Sequence, residues 1–188
     1  NSGPLANGMS MSWTSTVTRE LQKSNNSIGI PSITADDVSW LVSAFSIGML
    51  LAVLSLSNLC ELIGRKRAAI LEGFMAISSL LLKLFATNTY FLLAAQLLAG
   101  MTDGLAGLIT QSYVTEMASN SIRGRLGSLL TFSMKVGYLL TFVLDAVLSY
   151  KLLTICCLIP PIVQLVGLFF IPETPVHFIR NDKVNDAR

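Results

Sequence analysis

Five stretches of this chain are apolar for about the length that a membrane crossing needs: Val38–Cys60, Ala68–Ala86, Phe91–Val114, Leu126–Leu148 and Leu152–Ile171. A helix rising ~1.5 Å per residue needs ~20 residues to cross ~30 Å of hydrocarbon. A soluble domain is roughly a quarter charged, whereas this chain of 188 residues is 13% charged and 52% hydrophobic. The bilayer is the solvent such a chain is built for. Membrane strands are excluded, because they alternate in polarity over ~10-residue segments and these runs do not. A helix also satisfies its own backbone hydrogen bonds, as lipid requires. The expected fold is an all-α membrane bundle.

Residues 1–17, beginning "NSGPLANGMSMSWTS", are too short to cross and are expected to be the end of a truncated first helix. They lack the basic start and apolar core of a signal peptide. Residues 18–36 are expected to form an outer loop, 37–171 the five spans, and 172–188 the start of a further polar loop.

Cations assign the two sides. Alternate gaps hold Arg65, Lys66, Arg67, Arg123, Arg125, Arg180, Lys183 and Arg188, against Arg19, Lys23 and Lys151 on the other side. Positive charge collects in the cytoplasm, so the loops at 61–67, 115–125 and 172–188 are expected there. Because membrane spans flank the Arg65–Arg67 cluster on both sides, it sets topology and does not read as a nucleic-acid site. Trp40, Tyr90 and Tyr150 fall at outer span ends, where amphipathic rings prefer the headgroups. The "NNS" at Asn25–Ser27 is a glycosylation acceptor in the outer loop. Thr34 and Asp37 have the spacing of a capping box at the start of the next helix.

Charges within the spans matter more, since each costs at least ~2.5–3.5 kcal/mol at the bilayer centre. Lys83, near an outer end, is expected to snorkel to the surface. Glu72 lies near a cytoplasmic end and Asp145 near an outer one. Asp103 and Lys135 lie near midplane on consecutive spans, so an Asp103–Lys135 ion pair is expected, the alternative being that each faces a watery cavity. Gly100, Gly104 and Gly107 leave a helix face that is nearly bare backbone, expected to be a close helix crossing.

The inventory argues against an enzyme. His177 is the only histidine, so no histidine-pair metal site can be built. Cys60, Cys156 and Cys157 are too few for a disulfide framework. There is no glycine-rich phosphate loop. No cofactor and no metal are expected.

Three loop segments carry a family resemblance. "ELIGRKR" at Glu61–Arg67, "YVTEMASNSIRGRLGS" at Tyr113–Ser128 and "PETPVHFIR" at Pro172–Arg180 resemble, in order and spacing, signatures of the sugar porter family of the major facilitator superfamily. The segment "IPETP" at Ile171–Pro175 is most similar to the facilitated trehalose transporters of insects. The resemblance implies the amino-terminal six-helix half of a carrier that moves a sugar through the plasma membrane by alternating access. Its partners would be the sugar, the lipid bilayer and a carboxy-terminal six-helix half, without which the chain is expected to be inactive.

By match, Glu61, Arg65, Glu116, Arg123 and Glu173 would form this half's part of a cytoplasmic gate. Thr131 stands where many hexose carriers have a sugar-binding glutamine. Departures accompany the likeness: Leu62, Gln96 and Val176 each replace a cation, and Ser57 stands where glycine is common. These departures and Lys135 admit a second reading, a non-transporting sensor or degenerate copy on the same scaffold.

Overall fold

Thr34 starts the first of the long apolar helices. Its hydroxyl accepts the Asp37 backbone N–H at 3.3 Å, and the Asp37 carboxylate accepts the Thr34 backbone N–H at 3.0 Å. This is the capping box that the spacing of the two residues predicts. The computed structural model describes residues 2–21, 33–117 and 123–170, with side chains described for 3–16, 33–55, 64, 66–110 and 124–168.

Among the described residues the elements are α1 (Ser2–Leu21), α2 (Ala35–Ile63), α3 (Arg65–Leu84), α4 (Thr89–Met117), α5 (Arg123–Val147) and α6 (Tyr150–Phe170). Each of the five apolar runs falls on one of α2–α6, and α1 continues four residues past position 17. Only Gly64 separates α2 from α3. Its φ of 90° and ψ of 153° lie in a region essentially reserved for glycine.

Among the described residues four helices, α2, α4, α5 and α6, are long and apolar enough to cross a membrane. The expectation of five such spans included α3, whose window is diluted by the cations at its start and by polar groups that turn inward. Glu72, Ser79 and Lys83 of α3 are all buried. In place of lipid-facing chains, α1 likewise directs Ser12, Thr16 and Trp13 into the bundle. Ser12 and Thr16 donate to the Met9 and Trp13 carbonyls at 3.2 and 2.9 Å, so neither hydroxyl is buried with its proton unpaired. Leu50, Leu54, Phe132, Val143 and Val163 on the other helices are exposed, as lipid-facing side chains would be.

The packing has an internal two-fold logic. Helix α4 packs on α2 and α3, α1 packs on α5 and α6, and α3 packs on α6. Exchanging α1 with α4, α2 with α5 and α3 with α6 maps this contact set onto itself, as an inverted three-plus-three repeat requires. Glycines make the two equivalent crossings close. A Cβ on Gly8 of α1 would strike the Met134 carbonyl of α5, and one on Gly100 of α4 would strike the Phe45 carbonyl of α2. Gly137 and Gly48 face these from the partner helices. Without hydrophobic drive between helices in lipid, such backbone contact is what holds them together.

A sugar-sized cavity and the buried charges beside it

The inner face of α4 is the centre of the bundle: just over half of its apolar window is buried, against 11–22% for α2, α5 and α6. Asp103 sits on that face, 6% exposed, and its Oδ2 has no hydrogen-bond partner among the described residues. Beside it opens a cavity of about 270 Å³ between α1, α2, α4 and α5. Asn7 and Met11, Met49, Thr110, and Thr131 and Met134 line it from those four helices in turn. Thr131 donates its hydroxyl proton to the Gly127 carbonyl at 3.0 Å, which leaves its oxygen lone pairs free to accept. Apolar walls with a few polar atoms are the usual make-up of a small-molecule site.

The structure joins Asp103 and Thr131 at this cavity but does not join Asp103 to Lys135. Lys135 is exposed and lies over the Tyr138 ring, 5.1 Å from its centroid. The expected pair fails because consecutive spans need not be neighbours: α4 is packed on α2 and α3, and α5 on α1. The charge that attracts Asp103 is Lys83, while Glu72 repels it.

Lys83 does not snorkel. It is fully buried, with its Nζ 4.2 Å from the Trp13 ring centroid and no hydrogen-bond partner among the described residues. Trp13 donates its Nε1–H to the Thr154 hydroxyl at 3.1 Å, and Tyr150 donates its hydroxyl to the Lys83 carbonyl at 2.6 Å. Tyr150 is only 4% exposed, so it belongs to this interior cluster and not to an interfacial belt; Trp40 and Tyr90, at 64% and 83%, do face outward. Glu72 accepts from Gln164 Nε2 of α6 at 2.7 Å. Gln96, where a cation was lost, donates instead to the Thr14 hydroxyl of α1 at 2.7 Å.

A signal for this cluster was present in the chain. Ser79 and Lys83 lie seven and eleven residues beyond Glu72, which puts all three on one face of a helix with ~3.6 residues per turn. What the pattern lacked was any sign of the partner on α1.

Of the expected glycine face, Gly100 and Gly104 pack against α2, whereas a Cβ on Gly107 would meet open space at the cavity. Glu61 and Arg65 fall at the α2–α3 junction and Glu116 and Arg123 at the ends of α4 and α5 that face each other in sequence. Their side chains, like Glu173 and Asn25 as a whole, lie outside the described residues. Among the described residues no group of three His, Cys, Asp or Glu could hold a metal ion.

The profile of the family described as "Sugar (and other) transporter" matches residues 5–188. The chain belongs to that family. As a sugar transporter family member it is 27% identical over 185 residues to the facilitated glucose transporter member 8 of solute carrier family 2 from Bos taurus, covering 98% of this chain and 38% of that one. It is 28% identical over 173 residues to the sugar transporter ERD6-like 6 of Arabidopsis thaliana, covering 92% and 34%. A structure of the major facilitator superfamily proton:xylose symporter XylE bound to 6-bromo-6-deoxy-D-glucose superposes with a TM-score of 0.83 at 17% identity, covering 99% of this chain and 46% of that one. The family member described here therefore spans about a third to a half of the length of these relatives, and its fold is that of one six-helix half of a major facilitator superfamily transporter. The family is one of membrane transporters and not of enzymes.

Proposed function

We propose that this chain is the amino-terminal half of a sugar carrier that moves a hexose or a disaccharide, of glucose or trehalose type, across the plasma membrane by alternating access. The observation that carries the reading is the cavity of about 270 Å³ between α1, α2, α4 and α5, in a member of the sugar transporter family. A carboxy-terminal six-helix half would supply its other wall. Thr131 presents lone pairs to a sugar hydroxyl from α5, and Asp103 an acceptor from α4. The loops with Glu61, Arg65, Glu116, Arg123 and Glu173 would form and break ion pairs at the cytoplasmic mouth. Pairs of this kind, weak singly, bias a two-state equilibrium when they act together. Asn25 would carry a glycan on the outer side, and the substrate needs no cofactor.

The test is uptake of labelled trehalose and glucose by proteoliposomes holding the full-length protein, with and without an imposed proton gradient. Saturable uptake of either sugar is expected, weakened in Thr131→Ala through a raised KM. Folded protein that moves neither sugar would sink the carrier reading in favour of a sensor on the same scaffold.

A further inference from the structure

A second, much smaller cavity shares Asn7 and Asp103 with the sugar-sized one. It has a volume of about 10 Å³ between α1, α3, α4 and α6, on the order of a single water or ion. Oxygen-bearing side chains surround it: Asn7, Ser10, Glu72, Ser79, Thr102 and Asp103.

Acceptors outnumber donors among these groups, with the Asn7 amide as a donor and the others carrying oxygens. Ser79 donates its hydroxyl proton to the Ala76 carbonyl at 2.8 Å, and Thr102 donates to the Leu98 carbonyl at 2.8 Å. Both hydroxyls have spent their protons on their own helices, so only lone pairs are left to face the cavity. Glu72 already takes one donor from Gln164 and Asp103 Oδ2 takes none. Cys157 also lines the cavity, and its carbonyl has no helical donor because residue 161 is proline. A cation is an occupant that these acceptors and the unpartnered Asp103 Oδ2 suit.

Two buried carboxyl groups, Glu72 and Asp103, share the interior with one buried amine, Lys83, so with all three ionised the cluster would carry one negative charge in excess. An uncompensated charge at this depth is strongly destabilising. One monovalent cation removes the excess, whereas a divalent ion would overshoot it.

We propose that this cavity binds one alkali cation of sodium size, ligated by the Asp103 and Glu72 carboxylates and the oxygens of Ser10, Ser79 and Thr102. Carboxylate, hydroxyl and carbonyl oxygens are the donor set that hard cations take. Because Asp103 lines both cavities, the ion sits against the wall of the sugar-sized one, and its binding does not depend on which sugar enters there.

The test is equilibrium binding of radiolabelled sodium to the purified full-length protein in detergent, with choline chloride holding ionic strength constant. One saturable site per protein is expected, displaced by unlabelled sodium and not by choline. Asp103→Asn should weaken it at least roughly tenfold. Ser79→Ala, which keeps every charge, should weaken it severalfold and carries the test if the Asp103 variant does not fold. Absence of sodium retention above the choline control, in protein with a normal melting transition, would overturn the proposal. Retention unchanged in both variants would overturn it too, as adventitious binding elsewhere.

Discussion

The Lys83 ammonium stands 4.2 Å from the centre of the Trp13 ring, both side chains sealed inside the bundle. The pair ties the end of α3 to α1, two helices that the chain separates by the whole of α2. Trp13 holds its place through Thr154 on α6, and Tyr150 of the same helix holds the Lys83 backbone. A buried cation over an aromatic face gains ~2 kcal/mol or more when desolvated, which offsets part of what its burial costs.

Trp13 is therefore expected to be a stability hot spot. Trp13→Ala should cost about 3–5 kcal/mol from lost packing alone. Trp13→Phe keeps an aromatic face and loses the bond to Thr154, at about 1 kcal/mol. Thermal melting of the two variants in detergent would test the ordering. Equal losses would mean that the indole N–H and not the ring is what matters.

Glycines of one helix should separate into two kinds. Gly100→Val drives a side chain into the Phe45 carbonyl and is expected to abolish folded protein, read as loss of a monodisperse elution peak. A Cβ on Gly107 meets nothing within 4 Å, so Gly107→Val should fold normally and lower sugar uptake by filling the cavity. A folded Gly100→Val protein would mean that α2 and α4 do not cross this closely.

Asp103 and Lys135 should behave as strangers. Since no ion pair joins them, the stability effects of Asp103→Asn and Lys135→Leu are expected to add to within about 0.5 kcal/mol. A coupling well above that in a double-mutant cycle would restore the ion pair.

Gly64 should resist every side chain. With φ at 90° and ψ at 153°, Gly64→Ala is expected to cost about 1–3 kcal/mol, visible as a lowered melting midpoint. A neutral result would show that the α2–α3 turn can take another backbone form.

Length, periodicity and side-chain polarity are local properties, and the chain alone settled what depends on them. Apolar runs long enough to cross the bilayer made helices α2, α4, α5 and α6, and Thr34 and Asp37 capped α2. Membership of a sugar transporter family was legible too, because its signatures are contiguous short segments. Which helices touch is not local. In lipid no hydrophobic drive brings neighbours in sequence together, so close backbone contact at Gly8 with Gly137 and Gly48 with Gly100 decides the pairing. That choice put α5 on α1 and α3 beside α4 and α6. It thereby left Lys135 without Asp103, drew Lys83 under Trp13, and gathered Glu72, Ser79 and Asp103 around one small cavity.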